Sequence, residues 1–425
     1  MTDVAASDAP LADAGAPVSR TLADATERRL RAAILVLLAV RVVALLLLLA
    51  TDPASQEGGI TGDVRRYQEM ATADGTAYAD FQVEYPPITY LAIQFLAGPD
   101  LARSIAAVAI SQFLCDVAIA AILWRVWGTR SSAAYLLLGV PLIAWPFIYA
   151  RIDLLAVLLA VAGMALIRRG SAAAGAASLA AAVLTKIWPF VLAPVLLVER
   201  RWKAVASFVV TGLVLGGAWI AVAGVDGVRQ VVSFRDATGW QVESLPGVLW
   251  HLRDPSRIKF ESGAFRTGIM PVWARPLLTV LSLVFVALAW WLADRRRRAG
   301  AGDHVLYAWA PLASVLAMLL FAPILSPQYV VWFLPFAAIT AARGDRLVGG
   351  LTLAVTALTT ISYPLVLSAS EGAVWAILPV LGRNLALVAL FVVALQSLAG
   401  HRKQGPAAHP EEPAHPDEIR ASASA

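Results

Sequence analysis

Stretches of about twenty predominantly apolar residues constrain this chain more than any other feature, because as helices they match the hydrocarbon thickness of a bilayer. Arg31 to Ala50 is almost pure Ala, Leu, Val and Ile, and similar runs recur along the 425 residues. Candidate spans fall at roughly 31–51, 101–127, 132–149, 151–167, 203–223, 272–293, 304–322, 328–342, 347–367 and 374–397. Only 15% of residues are charged and 59% are hydrophobic, against about 25% charged in a soluble domain. The composition therefore excludes an ordinary soluble domain and indicates an all-α polytopic membrane protein. The formal charge of +5 does not indicate nucleic acid, because the basic residues sit in short clusters between apolar runs. Cys115 is the only cysteine and lies inside such a run, so no disulfide can form within the chain and a packing role is expected.

The basic clusters set the topology. They occur at Arg125/Arg130, Arg168/Arg169, Arg200/Arg201/Lys203, Arg295 to Arg298, Arg343/Arg346 and His401/Arg402/Lys403. If all are cytoplasmic, every region alternates correctly except 171–199, which has basic clusters on both sides. Two full crossings need about 60 Å of helix, and these residues supply only about 45 Å. A pair of short helices meeting near Thr185–Lys186, the second broken by Pro189 and Pro194, satisfies both constraints. The expectation is about twelve crossings, some short or broken, in one transmembrane domain over 31–398. Both termini are cytoplasmic, as disordered tails at 1–30 and 399–425, and no cleaved signal peptide is expected. The polar loops 52–100 and 224–271 then lie outside, and Lys186 lies in the outer half of the membrane near them.

The chemistry-bearing residues collect on that outer side. Gly62 to Pro87, "GDVRRYQEMATADGTAYADFQVEYPP", carries five acidic residues between apolar runs. Asp63 and Tyr67 share a helix face at i, i+4, and Asp74–Gly75 signals a turn. Asp80, Glu84 and Tyr85 precede Pro86–Pro87, which opens a stretch too short to span and suited to an interfacial helix. Arg151 and Asp153 sit at the outer mouth of the next span. The second outer loop carries Arg235, Asp236, Trp240, Gln241, Glu243 and Ser244, and "LSPQYVVWFLP" brings Gln328 to the same face. Taken singly, Asp63 reads as a solvated acid and Arg151 or Asp153 as an interface residue. Lys186 resists the bland reading, because a lysine at bilayer depth costs about 2.5–3.5 kcal/mol on insertion scales. The convergence of five distant segments favours a site. Such a site suits sugar transfer from a lipid-linked donor, with cations for a leaving phosphate, a carboxylate base for an acceptor hydroxyl and aromatic faces for sugar and isoprenoid.

These residues carry a family resemblance. "GDVRRY" with "DGTAYADFQVEYPP" resembles the first-loop signature of the GT-C membrane glycosyltransferases of family 87, also described as domain of unknown function 2029. "RIDLLAVLLAVAGMALIRRG" with "TKIWPFVLAP", then "GWQVESLPGVLW", then "LSPQYVVWFLP" follow in the family's order. The resemblance implies a GT-C-like bundle and a polyprenyl-phosphate-mannose-dependent α-mannosyltransferase. It would act outside the cytoplasmic membrane on a lipid-anchored or cell-envelope glycan, with Asp63 at the position of the catalytic acid. On this reading Asp63 deprotonates the acceptor, Lys186 with Arg151 binds the departing phosphate, and Tyr67, Asp80, Glu84, Tyr85, Asp153, Glu243, Ser244 and Gln328 line the substrate sites. No metal or other cofactor is expected beyond the lipid-linked donor as co-substrate. The sequence departs from the family pattern at Ala79, where a basic residue is common, and lacks histidines around "SPQY" found in the branch acting on phosphatidylinositol mannosides. A transferase for another sugar, such as arabinofuranose or glucose, stays open. So does a secondary transporter or lipid-sugar flippase, although no internal repeat is evident.

Overall fold

Lipid leaves backbone groups no partner but each other, so the apolar runs form helices. The computed structural model describes residues 16–51, 61–145, 147–232, 237–255, 258–261, 263–370 and 373–402. α1 (Ala16–Ala50) begins well before the first apolar run. Its Ala- and Arg-rich start is helix-forming, and Glu27 pairs with Arg31 one turn on at 2.9 Å. Residues 16–30 of the expected N-terminal tail are thus helical; 1–15 and 403–425 lie outside the described residues.

The first polar loop forms α2 (Gly62–Thr72) and α3 (Pro87–Leu96), with Gly75 turning at φ 101 between them. Pro87 starts α3, where a missing N–H goes unmissed, and α3 leaves Leu91 and Phe95 exposed, as an interfacial helix would. α4 (Leu101–Trp127) is a full-length span capped by Asp100, which accepts from Arg103 N at 3.1 Å. The span expected at 132–149 is interrupted: α5 (Thr129–Leu138) and α6 (Val140–Ala144) flank Gly139, and a 3-10 turn follows at Phe147–Ala150.

α7 (Asp153–Arg168) and α8 (Ala172–Thr185) form a hairpin turned at Gly170, φ 90. They touch backbone to backbone. A Cβ on Gly175 would sit 2.6 Å from the Gly163 carbonyl oxygen, and one on Gly163 would sit 2.9 Å from that of Gly175, so only glycine allows this approach. α8 stops at Lys186, whose backbone is extended; a 3-10 turn (Trp188–Leu192) and α9 (Pro194–Val198) follow, with a proline near the start of each. This is the short, broken pair expected at 171–199. α10 (Trp202–Val232) is broken at Gly224, φ 65.

The second polar loop holds β1 (Trp240–Gln241), α11 (Leu245–Arg253), β2 (Ile258–Glu261) and β3 (Ala264–Thr267). The strands form a small antiparallel sheet, β1-β3-β2, with Phe260 opposite Phe265. The all-α expectation did not include it, and such a sheet fits a segment outside lipid, where its edges can meet water. α12 (Ala274–Arg298), α13 (Ala310–Leu320, led by a π-helical turn at Val305–Trp309), α14 (Val330–Ala342), α15 (Arg346–Ser370) and α16 (Leu378–Ala399) complete the bundle. α13 and α14 are buried along almost their whole length and form its centre.

Six described helices are long and apolar enough to cross a membrane. The protein is an all-α polytopic membrane protein, and a total near twelve crossings depends on shorter apolar helices such as 172–185, 305–320 and 327–342. One polar knot ties the bundle. Arg41 on α1 donates to Asp116 on α4 at 2.9 Å and to the Leu136 carbonyl at 3.0 Å, while Tyr135 and Tyr149 donate to the same carboxylate at 2.6 and 2.8 Å.

Candidate active site

The α7–α8 hairpin brings Asp153 and Lys186 together. Asp153 lies in the first turn of α7, where the helix dipole favours a carboxylate. Lys186 Nζ is 2.6 Å from its Oδ1, and Trp332 Nε1 donates to that oxygen at 2.8 Å. The ammonium also lies 5.3 and 5.6 Å from the ring centroids of Tyr329 and Trp332, which stack on each other. This lysine thus has an anion and two aromatic faces, and it carries three donors in all.

The first polar loop closes over the same segment. Asp63, in the first turn of α2, pairs with Arg151 Nε at 2.6 Å; its side chain is 34% exposed, that of Arg151 9%. Tyr67, one turn on, is buried, accepts from Ile152 N at 3.4 Å and meets Tyr85 edge-on. Burial pushes its phenol well above the usual range, so it stays protonated. Arg151, Ile152 and Asp153 therefore gather α2 and the end of α8 around three consecutive residues.

The remaining residues divide. Glu84 is held by the Arg66 guanidinium. Asp80 is exposed and closes its own turn by accepting from Thr76 N at 2.6 Å. Gln328 lies half-buried on the Pro327–Tyr329 turn beside the Tyr329 ring. Ser244 caps α11, accepting from Gly247 N at 3.1 Å. Arg235 and Asp236 lie outside the described residues.

Glu243 belongs to a second buried cluster. Gln241 Nε2 donates to it at 3.0 Å, and Arg383 NH1 on α16 lies 3.8 Å from its Oε1; Arg383 and Asn384 both donate to its backbone carbonyl. Burial pushes the Glu243 carboxyl up to about 7, against the lowering pull of Arg383 and Gln241. Gln241 also accepts from Leu325 N at 2.9 Å, tying the second loop to the 325–329 segment. Tyr363 on α15 links the clusters: its hydroxyl accepts from Arg151 at 3.2 Å and lies in the fields of Asp63 and Glu243.

Trp332, Tyr363, Arg383 and Asn384 are the site residues that no sequence motif singled out by role. Arg383 did carry a signal, a guanidinium inside the apolar run 374–397, where an unpaired charge is costly. Tyr363 carried none.

This cluster of paired acids and bases with aromatic neighbours is the make-up an integral membrane enzyme's site requires. The family model of Glycosyltransferase family 87 matches residues 83–327. The chain belongs to glycosyltransferase family 87. The match includes Glu84, Tyr85, Arg151, Asp153, Lys186, Glu243 and Ser244, and begins after Asp63, Tyr67 and Asp80. No curated protein matches. Among solved structures, ArnT from Cupriavidus metallidurans bound to undecaprenyl phosphate is similar at 16% identity and a TM-score of 0.43, over 87% of this chain and 78% of that one.

Proposed function

We propose that this family 87 glycosyltransferase moves a hexose, mannose foremost, from a polyprenyl-phosphate-linked donor to a lipid-anchored or cell-envelope glycan. It works on the outer face of the cytoplasmic membrane, with both termini inside. Asp63 takes the proton of the acceptor hydroxyl as its oxygen attacks the anomeric carbon; the bond to the donor phosphate breaks, and its electron pair leaves on the phosphate oxygen. Attack in a single displacement inverts the anomeric centre. Lys186 meets the departing phosphate, its charge held in place by Asp153 and by aromatic faces rather than by water. Arg151 holds Asp63 in position. A phosphate monoester met by fixed cations needs no metal.

The observation that carries this reading is the arrangement around residues 151–153: Arg151 holds the partly exposed Asp63, and Asp153 holds Lys186. A base and a phosphate cation thus stand on either side of one short segment. Tyr67, Tyr85, Tyr363 and Glu243 supply walls and hydroxyl partners for the sugar, with Gln328 at the mouth. Asp80, Glu84 and Ser244 hold the loops that carry them. The test is transfer of labelled mannose from polyprenyl-phosphate-mannose by membranes containing the protein, run beside arabinofuranosyl and glucosyl donors. Transfer from another donor alone would replace mannose in this reading. Full transfer by Asp63→Asn would remove Asp63 as base.

A further inference from the structure

Away from this site, the turn between α9 and α10 packs on the C-terminal end of α12. Trp290 Nε1 donates to the Val191 carbonyl at 2.8 Å and Arg297 to the Val198 carbonyl at 2.9 Å. Between the two elements lies a cleft of about 290 Å³, lined by Pro194, Leu197, Arg200, Trp291, Asp294 and Arg298 among others. Its charge balance is positive. Asp294 is the acid of the lining, and it faces Arg298 at 2.5 Å, Arg297 at 3.7 Å and the field of Arg200. Glu199 does not neutralise the excess, because Arg201 and the Tyr307 hydroxyl both take it at 2.5 Å. Arg295 lies over the Trp291 ring at 4.8 Å.

Two further features point to a lipid ligand. The rim is apolar and uncovered: Leu197, Trp202 and Trp291 are all exposed, and none of the most apolar stretch of α10 is buried by protein. In a membrane these surfaces face acyl chains, with the tryptophans suited to the headgroup level. Arg200 also sits in the left-handed region, φ 55, at the end of α9, where its N–H bonds to the Leu197 carbonyl at 3.0 Å and that of Arg201 to Leu196 at 2.9 Å. Glycine is the unstrained residue for such a helix end. The sequence instead places an exposed guanidinium at the mouth of the cleft.

We propose that this cleft binds the phosphate headgroup of an anionic phospholipid. Arg200 and Arg298 meet the phosphate, and the acyl chains run along Leu197, Trp202 and the open face of α10. Basic pockets between membrane helices recognise headgroups in this way. The proposal does not depend on which sugar the enzyme transfers.

The experiment uses the full-length protein in nonionic detergent, titrated with phosphatidylglycerol, phosphatidylcholine or inorganic phosphate, and read by native mass spectrometry and thermal unfolding. Phosphatidylglycerol is expected to bind and to raise the unfolding midpoint, with the other two doing neither at equal concentration. Arg200→Gly and Arg298→Gln should each weaken phosphatidylglycerol binding about ten-fold, as for one lost charge-assisted hydrogen bond. Without lipid, Arg200→Gly should unfold no earlier than the parent, because glycine relieves the turn; this separates lost binding from lost folding. Undiminished phosphatidylglycerol binding by both variants, equal binding of phosphatidylcholine, or an equal midpoint shift with inorganic phosphate would overturn the proposal.

Discussion

Two Arg–Asp pairs in this molecule share their chemistry and differ in their surroundings. Arg41 and Asp116 are sealed between α1, α4 and α5, with side chains 1% and 2% exposed and the carboxylate taking two tyrosine hydroxyls besides the guanidinium. Arg151 and Asp63 lie nearer the surface, with Asp63 a third exposed and carried by a loop helix. A saturated, buried pair can only hold helices together, and removing one partner strands the other charge. An open pair leaves a carboxylate where a substrate can reach it. Burial and saturation, rather than residue type, separate the structural pair from the one proposed to be catalytic.

The sharpest way to break this contrast is to neutralise each acid in turn. Asp63→Asn should lower transfer by about 10²–10⁴-fold, the range for losing a general base, while its thermal unfolding in detergent stays near that of the parent. Asp116→Asn should do the reverse, with a stability loss of about 3–5 kcal/mol and near-normal activity per folded molecule. If the two variants exchanged these phenotypes, the assignment of roles would be inverted. Lys186→Met should lower kcat by about 10–100-fold if the ammonium meets the leaving phosphate through charge-assisted hydrogen bonds; a pure rise in KM would instead mean uniform donor binding.

Glu243 sharpens the comparison through pH. Its folded carboxyl is raised to about 7 from 4.5, so the folded state holds the proton more tightly than the unfolded chain. The protonated form's advantage is complete below about 4.5 and is lost as pH rises through 7. The parent's unfolding midpoint should therefore fall between pH 5 and 8 relative to Glu243→Gln, which cannot ionise. Parallel midpoints across that range would count against the raised carboxyl. The smallest expected effect is that of a chelator: transfer should continue unchanged in EDTA, because on the proposed mechanism the Lys186 ammonium supplies the charge that meets the phosphate.

Hydropathy made the spans legible, and chain length made the short broken pair around Lys186 legible, because helix rise and bilayer thickness leave no other solution for 171–199. Lys186 stood out for a physical reason, since an ionisable group at bilayer depth needs a partner; Asp63 read singly as a solvated acid, and the family resemblance marked it out. The partners themselves were hidden. Nothing local to Asp63 names Arg151, and nothing local to Lys186 names Trp332, because only the packing of α2, α7 and α14 makes those contacts. Glu84 read as a sugar ligand and is clasped by Arg66. The sheet of the second loop escaped notice because its strands are at most four residues long, too short to set a period. Arg383 was visible as a charge in an apolar run, but its attachment to Glu243 comes from the way α16 passes beneath the second loop.

The glycine contact between α7 and α8 acts as a pivot. Asp153 lies ten residues from Gly163, and Lys186 eleven from Gly175, so each partner of that ion pair hangs on an arm of about 15 Å. A rotation of about 10° at the crossing would swing such an end by about 2.6 Å, close to a whole hydrogen-bond length. A single added methyl group at Gly175, deep in the bundle, would thus act on the distance between Lys186 and Asp153 as a lever acts on its load.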